Sequence, residues 1–117
     1  RDLPMVFADI GLVERVLQNL LDNALKHTPP HGKVSLILDN AEAGVQVRVA
    51  DSGPGIPEEQ QAHIFERYRQ LENKKQGSGL GLAIVKKILE IYQSTIQVRN
   101  REQAGAEFFF QLPLAVA

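Results

Sequence analysis

Asn19, Asn23 and Lys26 follow one another at intervals of four and three residues, and Asp51 stands at the head of Ser52-Gly53-Pro54-Gly55-Ile56. On a helix turning about 100° per residue, the first three side chains share one stripe. Carboxamide oxygens are hard, neutral ligands suited to a magnesium ion that already carries phosphate oxygens, and a lysine one turn on neutralises phosphate as a point charge. A solvated helix face presents the same stripe, so this pattern alone does not define a site. Asp51 leads into a turn whose glycines permit positive φ and close approach of a ligand to backbone, although an ordinary turn has the same composition. A carboxylate fixed there only accepts hydrogen bonds. It takes the exocyclic amine of adenine but faces guanine's carbonyl with no donor between them. Once desolvated, that mismatch favours adenine by on the order of several kcal/mol.

A third cluster, Gly77-Ser78-Gly79-Leu80-Gly81, places three glycines at alternate positions before an apolar-periodic segment. Backbone N–H groups at such a helix start can meet phosphate. It lacks the Gly-Lys-Ser/Thr ending of a Walker loop, and Leu82 stands where a dinucleotide fingerprint needs its third glycine. A different nucleotide site or a plain helix start remains. Residues 66–76 are rich in charge and amides and lack apolar periodicity, which reads as a solvated loop with the character of a lid. Within it Lys74 and Lys75 read as solvated. Arg67, between Phe65 and Tyr68, is the better phosphate ligand: the aromatics can anchor the lid while the guanidinium swings inward. His27 adjoins the carboxamide stripe and is open to either role, nucleotide contact or none. His31 and His63 read as solvated. Glu58 and Glu59 are adjacent on a helix, do not face each other, and match the helix dipole rather than an acid and base pair.

Elements must position these groups. Asp9 caps a helix whose core stripe is Val13, Leu17, Leu20 and Ala24, ending near His27 before Pro29-Pro30. Met5 to Ala8 reads as a short strand. Val34 to Leu38 and Val45 to Val49 read as antiparallel strands joined through Asp39-Asn40 and Gly44. Pro57 suits the first position of a short helix reaching about Phe65. Ile84, Val85, Ile88, Leu89 and Ile91 give the last helix its apolar face, and Thr95 to Val98 and Glu107 to Leu112 complete the chain as strands. The expected fold is α/β: a two-layer sandwich with a mixed sheet of about five strands and about three helices on one face.

The 117 residues fit one domain spanning 1–117. Thirteen basic and fourteen acidic side chains give no long-range field for nucleic acid or an anionic membrane. Without cysteine there are no disulfides and no thiolate metal sites, which fits a reducing, cytoplasmic setting. No apolar run nears the roughly 20 residues that span a bilayer. The chain opens on Arg1 rather than methionine and reads as a piece of a longer protein.

Taken in order, NLLDNALKHTP, DSGPGI, FERY and GSGLGLAIVKKI closely resemble the catalytic ATP-binding domain of sensor histidine kinases. That superfamily also holds gyrase B subunits, MutL-type repair proteins and heat-shock chaperones. The resemblance covers nearly the whole chain and implies a Bergerat-type fold. It implies that Asn23, with Asn19 as a second candidate, holds Mg2+ through ATP, and that Lys26 and His27 lie near the phosphates. It further implies that Asp51 binds the adenine amine in a pocket shaped by Gly53, Gly55 and Ile56. Phe65, Arg67 and Tyr68 match the lid's phenylalanine box, and Gly77, Ser78, Gly79, Leu80 and Gly81 match the second glycine box. Asn19, Asn23, Lys26 and Arg67 are then the catalytic set. Implied partners are a helical dimerisation domain of the same parent, bearing the histidine acceptor, and a response regulator receiver domain downstream. The parent is cytoplasmic or anchored in the inner membrane. Two stretches depart from the family: Tyr92-Gln93-Ser94-Thr95 replaces a histidine and paired glycines, and Gly105-Ala106-Glu107-Phe108 lacks the common threonine.

None of the three histidines lies in an acceptor-like box, so this chain is expected to donate phosphate rather than receive it. A hydrolytic ATPase of the same superfamily is a rival, but it needs a glutamate to activate water where Asn19 stands, and an amide cannot take that proton. A nucleotide-sensing docking module without catalysis is the other rival.

Overall fold

The computed structural model describes residues 9–42, 44–66, 81–102 and 104–113. The strand expected at Met5 to Ala8 and nearly all of the lid lie outside the described residues. Helix α1 spans Ile10–His27, and Asp9 caps it by accepting from Gly11 N at 2.9 Å and Leu12 N at 3.1 Å. Such a cap satisfies donors that the first turn leaves free. The other end closes on Thr28, whose hydroxyl donates to Ala24 O at 2.6 Å. The buried stripe is Val16, Leu20 and Ala24, with Val13 and Leu17 at its half-buried margin. The core face thus includes the expected Leu20 and Ala24 and adds Val16, which the spacing did not single out.

Strands β1 (Val34–Ala41) and β2 (Gly44–Asp51) pair antiparallel, Val34 opposite Asp51 and Ala41 opposite Gly44. Both run longer than expected. The turn falls after Ala41 rather than at Asp39-Asn40, because Asp39 stays in the strand and pairs with Arg48 at 2.8 Å. Helix α2 is one turn, Glu58–Gln61, with Pro57 at its cap rather than inside it. Beyond Gln61 the chain continues in three-residue turns, His63 N to Gln60 O and Glu66 N to His63 O. Those turns let the adjacent Ile64 and Phe65 both reach the core cluster. Helix α3 (Gly81–Ile91) buries Ala83, Val85, Ile88 and Leu89, while Ile91 is exposed on its flank. Strands β3 (Gln97–Asn100) and β4 (Ala106–Pro113) form the closing hairpin.

The sheet order is β1-β2-β4-β3, and every described pair is antiparallel. This corrects the mixed sheet: β2 and β3 run the same way, but β4 lies between them and no parallel ladder forms. Four strands are described, not five. Val45, Val47 and Val49 face α1 and α3 together with Phe108, Phe110 and Leu112, in one core. The opposite face is polar. Asp39, Arg48, Glu107 and Arg99 form ion pairs from strand to strand across it, and Arg99 stacks 4.5 Å from the Phe109 ring. No described helix is long and apolar enough to cross a membrane.

Candidate functional site

The end of α1 and the turn after β2 are pressed together. A side chain at Gly53 would meet His27 O at 2.2 Å, so only glycine lets the two motifs touch without moving backbone. The carboxamide stripe and Asp51 therefore belong to one locality, although 25 to 32 positions of sequence separate them.

Asp51 is 4% exposed. Its Oδ1 accepts from Gly53 N at 2.9 Å and Ala106 N at 3.3 Å. Among the described residues nothing donates to Oδ2. One oxygen is spent on holding the carboxylate in place, and the other remains an acceptor for an incoming donor. In the stretch that departs from the family pattern, Ala106 supplies this contact through its backbone N–H.

Asn19 Nδ2 is shielded from solvent and has no hydrogen-bond partner among the described residues. An orphaned buried amide donor costs about 1–3 kcal/mol, so it marks a place where an acceptor belongs. Asn19 Oδ1 lies 3.8 Å from where a side chain on Gly81 would begin. The start of α3 thus lies against the carboxamide stripe. Asn23 is half-buried on the same stripe and Lys26 is exposed with no ion pair among the described residues. The nearby carboxylate Asp22 is exposed and accepts from Gln18 Nε2 at 3.0 Å.

His27 is tied back into its own helix, Nδ1 donating to Asn23 O at 2.8 Å. That bond assigns the proton to Nδ1 and leaves Nε2 as an acceptor in the neutral ring. His63 is not simply solvated, because Nδ1 sits 3.0 Å from Glu66 Oε2; His31 is exposed. Phe65 packs edge-to-face on Phe108, centroids 6.0 Å apart at 88°, and fastens the entrance of the lid to the core. Arg67, Tyr68, Gly77, Ser78, Gly79 and Leu80 lie outside the described residues. No group of three or more His, Cys, Asp or Glu among the described residues is arranged to hold a metal ion.

Three residues of this locality were not among the site residues expected from the sequence. Asn100 holds Ile56 through both of its side-chain polar atoms, Arg101 Nη1 donates to Asp51 O at 3.1 Å, and Gly105 adopts φ +91°. A side chain at Gly105 would fall 1.7 Å from Asp51 O. Only the glycine hinted at a special position, and nothing local tied it to Asp51.

A family profile described as histidine kinase-, DNA gyrase B-, and HSP90-like ATPase matches residues 8–116. The adaptive-response sensory kinase SasA of Synechocystis sp. (strain ATCC 27184 / PCC 6803 / Kazusa) is 44% identical over 117 residues, which cover 97% of this chain and 30% of that protein. The chain thus spans under a third of that relative. Among solved structures, the mycobacterial sensor histidine kinase MprB superposes with a TM-score of 0.86 at 32% identity, covering 96% of this chain and 78% of that one. Full-length ShkA in complex with AMPPNP superposes at 0.83 with 36% identity, covering 98% and 24%.

Proposed function

The chain belongs to the histidine kinase-, DNA gyrase B-, and HSP90-like ATPase family, and from that premise we propose that it is a single catalytic domain that binds Mg·ATP and donates its γ-phosphoryl to a histidine elsewhere. The orphaned Nδ2 of Asn19 carries this reading. It is a donor suited to a phosphate oxygen, in the place where a hydrolytic relative needs a carboxylate to take a proton from water. Among the described residues the local carboxylate Asp22 points to solvent and cannot substitute.

Asp51 Oδ2 accepts from the adenine amine while the Gly53–Ile56 turn walls the base. Asn23 and Asn19 offer amide groups to the phosphate end, with Lys26 and the Nε2 of His27 at its margin. Magnesium would supply charge neutralisation between phosphate oxygens, held by Asn23 Oδ1 with Asn19 as the second ligand. This fits a stripe of neutral amide oxygens with no carboxylate cluster among the described residues, in which the charge on the ion is met by the phosphates. Arg67 and Tyr68 would close the lid, and Gly77, Ser78, Gly79, Leu80 and Gly81 would present backbone N–H groups to phosphate. Catalysis on this domain is then positioning plus charge neutralisation by Asn19, Asn23, Lys26 and Arg67. It needs no base, since a neutral imidazole is already nucleophilic. The acceptor belongs to a helical dimerisation domain of the parent, and a response regulator receiver domain takes the phosphoryl next.

Calorimetric titration with ATP, ADP and GTP in magnesium tests the site. ATP and ADP should bind and GTP should bind at least about 100-fold more weakly, matching a carboxylate that has no donor for guanine. Equal affinity for ATP and GTP would overturn the Asp51 assignment.

A further inference from the structure

Asn100 ends β3, 44 residues from Ile56, yet its side chain pairs with Ile56 as a peptide group pairs in a β-ladder. Oδ1 accepts from Ile56 N at 2.8 Å and Nδ2 donates to Ile56 O at 2.9 Å. Gln61 Nε2 adds a third bond, to the same Ile56 carbonyl, at 3.0 Å. Between Asp51 and Ile56 the backbone has its own freedom, with Gly55 at φ +83°. A side chain on Gly55 would meet Asn100 Oδ1 at 2.8 Å, so the clamp lies directly against the turn. The other end of the turn is held from the same hairpin: Ala106 N donates to Asp51 Oδ1, and Arg101 Nη1 to Asp51 O. Arg101 N in turn donates to Gly105 O at 2.8 Å, which keeps the hairpin closed.

We propose that Asn100 is a positioning residue for the nucleobase, fixing the Gly53–Ile56 wall at the separation from Asp51 that admits adenine. This rests on the reading that Asp51 takes the adenine amine. Asn100 is itself exposed and belongs to no core cluster, so the fold does not depend on it. Its two bonds act on a turn rich in glycine, whose ordering would otherwise have to occur on binding.

The test compares the wild-type chain with Asn100→Ala and Asn100→Asp, titrating ATP, GTP, adenosine and inorganic tripolyphosphate. Asn100→Ala should weaken ATP and adenosine by the same factor, about 5- to 20-fold, as two neutral hydrogen bonds permit. Tripolyphosphate should be unaffected, and the preference for ATP over GTP should shrink. Asn100→Asp keeps the acceptor for Ile56 N but sets a carboxylate oxygen against the Ile56 carbonyl, so it should weaken ATP and adenosine at least as much as Asn100→Ala. Unchanged adenosine affinity in Asn100→Ala, or an equal loss for tripolyphosphate, would overturn the proposal. A wild-type chain with no preference for ATP would overturn the underlying reading instead. Should Asn100→Ala not fold, amide exchange of the wild type decides: Ile56 N–H must be protected, and exchange at the rate of a free peptide overturns the clamp.

Discussion

Replacing Asp51 by Asn changes one atom and should invert what the base pocket wants. Gly53 N and Ala106 N both point at one carboxylate oxygen, at 2.9 and 3.3 Å. They demand an acceptor, so the new amide must turn its oxygen toward them and place its NH2 where Oδ2 was. The fold keeps both backbone bonds. The adenine amine, however, then meets a donor. ATP loses a charge-assisted hydrogen bond worth about 1.5–3 kcal/mol and leaves a desolvated donor without an acceptor, worth about 1–3 kcal/mol more. Because the two costs overlap, the net is about 3–4 kcal/mol, or roughly 150- to 900-fold in Kd. Guanine presents a carbonyl at the same place, so GTP should bind Asp51→Asn as well as or better than it binds wild type. Calorimetry with both nucleotides, paired with thermal melts to verify folding, reads the effect. A similar loss for ATP and GTP, or none for either, would refute the reasoning about Oδ2.

Other substitutions separate function from stability. Asn19→Ala removes a buried donor without a partner, so stability should stay within about 0.5 kcal/mol of wild type or rise, while phosphoryl transfer falls at least about tenfold; chemical denaturation beside a transfer assay reads both. Gly105→Ala would force a side chain into Asp51 O from a backbone at φ +91°, and should cost about 3 kcal/mol or more, lowering Tm by about 10 °C or more. Glu107→Ala strips Arg48 and Arg99 of a shared, buried carboxylate on the outer sheet face, and urea melts should show a loss of about 2–4 kcal/mol. ATP affinity should survive that change within about twofold, since the ion pairs face away from the core.

Helix α1 was legible because its end signals and period are local: Asp9, Pro29-Pro30 and the three-to-four spacing all lie within one segment. Of its core stripe Leu20 and Ala24 are fully buried as expected, while Val16 joins them and Val13 and Leu17 stay at the margin, a distinction made only by what packs against the helix. Asp39 illustrates the opposite case. Its turn propensity was real, yet a cross-strand arginine nine residues on held it in the strand. The antiparallel sheet order was hidden because β4 enters between β2 and β3, a choice made by long-range packing. Asn100 was invisible for the same reason: a polar residue at a strand end becomes specific only when the fold sets it beside Ile56. The glycine at 105 carried a trace of its role, but the carbonyl it makes room for lies 54 residues earlier.

The central claim is phosphate donation to a histidine that this chain does not carry. The most direct measurement mixes the chain with γ-labelled ATP, magnesium and the helical histidine domain of its parent, and follows the label. The account predicts label on the helical domain, labile in acid and stable in base, and none on this chain alone. Steady release of inorganic phosphate with an unlabelled helical domain would contradict it.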